Sequence, residues 1–524
     1  MAVEEAPVRD RWLEFGNRPV PWAPLYRALQ QVQLRARRLG RVSEQPSVVL
    51  GAMVTFYVAV FGSLTWAQQS NFGTFGFDMG IFDQEVWLVS RFKPSFITVR
   101  GLDMWANHVN PIVYLLVPAY WFGAGPHFLY LLQTTSLALG ALPLWLIARD
   151  RLRNGWLALA IPLAWLLYPS VQWMTWWHFH PESLGVPAFL FAWWFAGRGQ
   201  WRWYAVCVCL VLATKEDAGI AVAAMGVVLA LRRSRVVGAW TVAGAVAWVA
   251  ICVKLVIPHA TGAANPFYAD QYAELGRNTN AIVVNAIRHP SRVIQLALRR
   301  DRHDYYVKLF APVAGMCVLA PVVLLLILPT LLVNVVNNQG YPHDYRFQYQ
   351  AFVSCGVFLA LTEGLCRVRR PGMQRFLVGV VCASSLAAAA VWGPSPLNAR
   401  VYHSGIWALH GSTHLREMDR AVHLVPSGAS ISASYPVVPH LTHRARVYEW
   451  PNPYVRSYYG LDTTTPLPDP GTVQYLLLDT GVNPDFQALA DELTGPRGEF
   501  RVIVRGSGVL LAQRFRPPGK AGRD

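Results

Sequence analysis

The chain is poor in charge: charged residues are 15% of its 524 positions against 53% hydrophobic ones, and the mean hydropathy is +0.27. That balance excludes an ordinary water-soluble enzyme of this length and points to the bilayer as the solvent for most of the chain. Acids are the scarcest group, with 30 Asp and Glu facing 46 Lys and Arg for a net charge of +16. The excess is no nucleic-acid footprint, because the Arg residues fall in short clusters between apolar runs, where they hold loops in the cytoplasm. Cysteine is absent from residues 395–524; the seven that exist, from Cys207 to Cys382, lie in or beside apolar runs. The C-terminal part therefore needs no disulfide, whichever side it faces. A nucleotide-binding glycine motif, a clear internal repeat and a cleavable signal peptide are also missing. Residues 1–46 are polar and basic, with Arg35, Arg37, Arg38 and Arg41 directly before the first apolar run, so the first helix is expected to anchor with its N-terminus inside.

What is abundant is apolar sequence. A span needs about 20 apolar residues, fewer where the bilayer thins. Eleven stretches qualify, near 48–68, 127–147, 155–174, 183–198, 202–214, 216–231, 236–257, 306–320, 322–337, 348–366 and 376–393, the run from Tyr306 to Val336 being split at Ala320-Pro321. The 21 Trp and 21 Tyr suit two interfacial belts. Alternating from a cytoplasmic start, the clusters Arg149–Arg153, Arg198–Arg202, Arg232–Arg235 and Arg367–Arg375 all fall inside, as the positive-inside rule requires. The agreement demands that His108–Pro126 not span, so this Pro- and Gly-punctuated stretch is expected as a re-entrant or interfacial helix. Loops 69–126, Trp177–Pro181, Thr214–Asp217, 258–305 and 338–347 then lie outside with everything after 394. Among them, Ser291–Asp304 alternates Val293, Ile294, Leu296 and Leu298 with Arg299, Arg300 and Arg302, the pattern of a helix on a membrane surface.

From Ser395 the composition becomes that of a small α/β domain, with strands expected at Ser430–Ser434, Val473–Asp479, Phe500–Val504 and Gly508–Gln513 and helices at His414–His423 and Phe486–Leu493. The expected architecture is an α-helical polytopic membrane protein of about eleven transmembrane helices with a C-terminal soluble α/β domain. It divides into a cytoplasmic segment 1–46, a transmembrane part 47–394 and an extracytoplasmic domain 395–524.

The reactive side chains gather in the outer loops. The first carries Asn71 to Trp87, with Asp78, Asp83 and Glu85 set among Phe77, Ile81, Phe82 and Trp87. Apolar residues would anchor this segment at the membrane while a carboxylate accepts a proton from an acceptor hydroxyl or binds a divalent cation, Mg²⁺ or Mn²⁺; the alternative is a solvated acidic loop. His108 closes the same loop, and Trp177-His178-Phe179-His180-Pro181-Glu182 forms another outer turn. His178, His180 and Glu182 match no strong metal spacing, leaving metal ligation and hydrogen bonds to phosphate or sugar both open. Lys215-Glu216-Asp217 interrupts two apolar runs, as a phosphate contact or as a plain ion pair at a helix junction. His343 and Arg346, within Asn337–Tyr349, bring imidazole, cation and aromatic faces suited to a sugar phosphate. One topology, drawn from basic loops alone, delivers all of these to one membrane face.

The arrangement resembles the GT-C superfamily of membrane glycosyltransferases. The motif Phe77-Asp78-Met79-Gly80-Ile81-Phe82-Asp83-Gln84, with His108/Pro111, His180-Pro181-Glu182 and Lys215-Glu216-Asp217, is similar to a family of predicted bacterial membrane proteins grouped with that superfamily. The resemblance covers most of 48–450, including Ser432–Leu441 and the start of Tyr448–Pro453. It implies a polyprenyl-phosphate sugar donor in the bacterial plasma membrane and inverting transfer to an extracytoplasmic glycan, lipid or protein. Asp78 would be the general base with Asp83 as runner-up, Lys215 and Arg346 the phosphate contacts, and His108, His180 and Glu182 ligands of donor or acceptor. The paired acids with which some relatives fix a metal are missing unless Asp83 serves. Two rival readings remain: a transporter or flippase of lipid-linked saccharides, and a non-catalytic cell-envelope assembly protein.

Overall fold

A computed structural model describes residues 45–152, 154–262, 267–458, 461, 467–482 and 484–516. The basic stretch Arg35–Arg41 and Arg153 lie outside the described residues. The chain divides into two compact units, Met1–Ala52 and Met53–Asp524, and the second carries the functional architecture.

Among the described residues, five helices are long and apolar enough to cross a membrane: Pro46–Ser70, Pro126–Leu152, Arg235–Thr261, Gln348–Arg367 and Pro371–Trp392. A sixth span forms if Gly155–Leu167 and Pro169–Trp176 are taken together, bent by 45°. The bend has a local cause, since Pro169 pushes Tyr168 out of the helical region to ψ 122°. The spans expected at 183–198, 202–214 and 216–231 are the shorter helices Glu182–Gly197, Trp201–Leu212 and Ala218–Arg232. Those expected at 306–320 and 322–337 are not continuous helices. Pro312, Pro321 and Pro329, with left-handed Ala314 and Gly315, divide the run into pieces from His303–Phe310 to Leu328–Val336. Hydropathy counts apolar side chains, but each proline removes a backbone donor from the helical ladder.

The stretch after His108 forms two short helices, Pro111–Leu115 and Val117–Trp121, that leave Leu115, Trp121 and Phe122 exposed. Thr279–Arg288 and Pro290–Ala297 likewise expose Val283, Ile287 and Ile294, so each carries an apolar stripe.

Near the first loop, β1 (Phe96–Ile97) and β2 (Leu102–Asp103) make a small antiparallel hairpin. The C-terminal region holds a five-stranded sheet of β3 (Ile431–Ala433), β4 (Val447–Glu449), β5 (Tyr475–Asp479), β6 (Phe500–Gly506) and β7 (Val509–Arg514), in the order β4-β3-β5-β7-β6. β4, β3 and β5 run parallel, while β7 pairs antiparallel with β5 and β6. The four strands expected from the sequence are present; β4, only three residues long, was not signalled.

Side chains alternate between the two faces, as the pleat dictates. Ile431, Ala433, Leu477 and Leu511 join one core with Met79, Phe82, Val86, Ile97 and Phe179, whereas Leu476, Leu478, Leu510 and Ala512 join another with Tyr448 and Trp450. The sheet and the loop after the first helix therefore share one hydrophobic core.

Polar bonds fix that contact. The Thr98 hydroxyl donates to the Val447 carbonyl at 2.7 Å and accepts the Val447 N–H at 2.9 Å. Gln84 Nε2 donates to the same hydroxyl at 2.9 Å, and Gln84 Oε1 accepts the Val99 N–H at 3.1 Å. Thr98 thus closes the edge of β4. Thr98→Val keeps the shape but orphans both buried backbone groups of Val447, and is expected to destabilise the protein by about 1–3 kcal/mol. Thermal unfolding in detergent, with limited proteolysis of the C-terminal region, measures the loss.

Candidate active site

The turn Gly76–Gly80 positions Asp78. The backbone is extended at Phe77 and then turns to φ 67°, ψ −79° at Asp78. This is the γ-turn region, which non-glycine residues seldom occupy and which costs on the order of 1–3 kcal/mol. The surroundings hold it there: Gly76 N–H donates to the Tyr435 carbonyl at 2.7 Å and Gly80 N–H to the Phe75 carbonyl at 3.3 Å. Glycine is required at 76 because a Cβ would lie 2.4 Å from Glu449 Oε2 and 3.0 Å from Val438 Cβ.

The Asp78 carboxylate receives the Trp177 indole N–H at 3.2 Å and meets His180 Nε2 at 3.4 Å. Burial alone would raise its pKa, but the charge and hydrogen bond of His180, with the Trp177 donor, hold it below the ordinary value. His180 moves the other way: burial would lower it, and the Asp78 carboxylate raises it above the usual imidazole range. The two shifts have one cause, since each group favours the charged form of the other.

Asp78 lines a cavity of about 890 Å³. The cavity is also lined by the polar and charged side chains of His108, His180, Glu182, Lys215, Glu216, Asp217, Arg100 and Glu449. Its apolar lining comes from Ile220, Val249 and Val253, from Ile282 and Val293, and from Leu332, Val333 and Val336. The polar groups are tied across elements. Lys215 Nζ donates to Glu182 Oε1 at 3.0 Å, lies 3.6 Å from Asp217 Oδ2, and sits 5.5 Å from the centre of the Tyr349 ring. His108 Nδ1 meets Glu216 Oε1 at 2.9 Å, and Glu216 Oε2 accepts the Val109 N–H at 3.0 Å. The end of the first loop is thereby latched to the junction between helices Trp201–Leu212 and Ala218–Arg232.

The remaining predicted residues sit elsewhere. Asp83 does not line the cavity; its carboxylate is fully buried, accepting from Tyr120 Oη at 2.6 Å and from Thr442 Oγ1 and lying 3.2 Å from His443 Nε2. His178 packs edge-on against Phe75 at 4.9 Å, and burial lowers its pKa to about 4, which keeps it neutral. His343 and Arg346 are also outside the lining; Arg346 forks onto Asp344, with Nη2 to Oδ2 at 2.6 Å. Sequence reasoning missed Arg100, buried against Asn107 with Nε to Oδ1 at 3.1 Å, and Glu449. Neither belongs to a motif with a recognisable spacing.

Among the described residues no three His, Cys, Asp or Glu side chains gather as a metal-binding group.

A family model described as a predicted membrane protein (DUF2079) matches residues 69–510. No curated protein matches the chain in sequence. Among solved structures, ArnT from Cupriavidus metallidurans bound to undecaprenyl phosphate is similar with a TM-score of 0.54 at 12% identity, over 89% of this chain and 99% of that one. The same protein in the apo state gives 0.53 at 13% identity, over 90% and 99%. The fold is thus ArnT-like, a GT-C fold, and at this identity the likeness speaks for fold alone.

Gly76→Ala tests the tight turn. The Glu449 carboxylate can swing aside but the Val438 Cβ cannot, so the variant is expected to lose on the order of 1–3 kcal/mol of stability through overpacking. Adding Val438→Ala, which keeps that Cβ but removes the Cγ1 met at 3.1 Å, should recover part of it in a thermal-unfolding double-mutant cycle.

Proposed function

Because the chain belongs to the DUF2079 family of predicted membrane proteins, we propose that it is a membrane glycosyltransferase. It moves a sugar from a polyprenyl-phosphate donor to the hydroxyl of an extracytoplasmic glycan, lipid or protein, with inversion at the anomeric carbon and Asp78 as general base. The observation that carries this reading is Asp78 itself, a carboxylate in a strained turn, lining a cavity whose walls carry both charged and apolar side chains. Backbone strain of this kind persists where the surroundings over-determine it, which is typical of sites that do chemistry. The ArnT fold supports the donor class, since ArnT has been solved with undecaprenyl phosphate.

In the proposed reaction the prenyl chain lies along Ile220, Val253, Ile282 and Leu332 while the phosphate faces Lys215 and Arg100. Asp217 is the looser partner of Lys215, half exposed at 3.6 Å, so a phosphate can displace it while Glu182 keeps the ammonium in place. Asp78 takes the acceptor's hydroxyl proton, the oxygen attacks the anomeric carbon, and the phosphate leaves with the electron pair of its bond to the sugar. A phosphate leaving group needs little acid assistance, and preorganised cations stabilise its charge in a water-poor site. His108, His180, Glu182 and Glu216 position donor and acceptor; His178 supports the turn from behind, and Asp83, His343 and Arg346 act through the walls of the site. On this reading, which the distribution of Arg-rich loops supports, the C-terminal sheet lies outside the cytoplasm and acts as a lid on the cavity.

The test incubates purified protein with radiolabelled polyprenyl-phosphate sugars and follows free polyprenyl phosphate. Asp78→Asn is expected to lower release by about 10²–10⁴-fold, the usual contribution of a general base. With its pKa depressed, Asp78 stays ionised above that value, so the loss of activity due to protonation of Asp78 itself should come only below the ordinary carboxylate range. Equal release from wild type and Asp78→Asn would sink the assignment and leave a transporter of lipid-linked saccharides as the better account.

A further inference from the structure

The sheet contributes one carboxyl to the cavity that the transfer reading does not use. Glu449 is the last residue of β4, at the carboxyl edge of the parallel strands, where open sheets of this kind present their ligand-binding groups. Its Oε2 lies against Gly76, where a Cβ would approach to 2.4 Å, and its carboxylate takes the backbone N–H of Phe77, the residue before Asp78. It lines the same cavity as Asp78. The charged group that acts on it is Asp78 on the turn, and Tyr458 from the segment after β4 feels its charge in turn; His180 and Arg100 line the same cavity.

We propose that Glu449 is a second proton-handling carboxyl of this cavity, which takes from Asp78 the proton removed from the acceptor and returns it to water. The source of that proton rests on the glycosyl-transfer reading; the pairing of the two carboxyls does not. In the first step the acceptor O–H bond breaks and an O–H bond forms on Asp78, while the sugar exchanges its bond to phosphate for one to the acceptor oxygen. In the second the proton passes to ionised Glu449, which restores Asp78 as a carboxylate. In the third Glu449 gives the proton to solvent. The environments of the pair suit this order. Burial, with a smaller push from the Asp78 charge, raises the Glu449 carboxyl to about 7, whereas Asp78 is held down by His180. Transfer from Asp78 to Glu449 is then downhill, and a group titrating near neutrality can both gain and lose a proton.

Infrared difference spectroscopy of the full-length protein in lipid nanodiscs, titrated across neutral pH, reads this directly through the carbonyl stretch of a protonated carboxyl. The wild type should show a component titrating near pH 7 beside that of Glu85, which burial raises to about 8. Glu449→Gln should remove the component near pH 7 and leave that of Glu85, and Asp78→Asn, which removes the like charge, should move the Glu449 midpoint to lower pH. A component near pH 7 that survives Glu449→Gln, or a Glu449 midpoint that Asp78→Asn leaves in place, overturns the pairing whether or not any sugar is transferred. In the release assay Glu449→Gln should lower kcat by on the order of 10²-fold with little change in KM for the donor, and Glu449→Asp should recover part of it. An active wild type matched by Glu449→Gln would overturn the relay while leaving the transferase reading intact.

Discussion

The hold of the sheet's carboxyl edge on the turn Gly76–Gly80 is the constraint on which the site depends. Tyr435, just past β3, accepts the Gly76 N–H, and Glu449, at the end of β4, packs on the same glycine. The Thr98 hydroxyl closes the β4 edge from the loop side, and Met79 and Phe82 enter the core of Ile431 and Leu477. A turn with Asp78 at φ 67° would relax in isolation. Here its cost is offset by burial of neighbouring apolar side chains, of order 2 kcal/mol each. The C-terminal region therefore sets the conformation of the turn that carries Asp78.

The second organising feature is paired charge. Buried ions survive only where each finds a partner, and removing one partner costs far more than the pair contributes. Lys215 with Glu182, Glu216 with His108, and Asp78 with His180 each join two segments distant in sequence. These pairs bring the charged residues of several segments to the walls of one cavity, which also has an apolar lining. Walls of both kinds are what the proposed ligand, a phosphate head with a long hydrocarbon tail, would need.

Much of the fold was legible because its signals are local. Apolar runs gave the long helices, and period-two alternation gave β3, β5, β6 and β7 close to their observed limits. The region 306–337 was less so, since hydropathy is blind to the prolines that break it. At the site, the acid-bearing loop motif, His180, Glu182 and Lys215 stand out as polar residues in apolar surroundings. Asp78 and Asp83 could not be separated by spacing: the turn at Asp78 breaks helical phase, leaving one carboxylate in the cavity and sending the other to Tyr120, Thr442 and His443. Glu449 was invisible for a different reason. A single acid in a three-residue strand, hundreds of positions from Asp78, has no pattern until the chain folds.

The central claim is that this cavity holds a polyprenyl phosphate with its head beside Asp78. A structure of the full-length protein with undecaprenyl monophosphate tests it most directly. The account predicts the phosphate within hydrogen-bonding distance of Lys215 or Arg100, and the prenyl chain against Ile220, Val253, Ile282 and Leu332. A lipid seated elsewhere on the protein, or in the cavity with its phosphate away from Asp78, would contradict it.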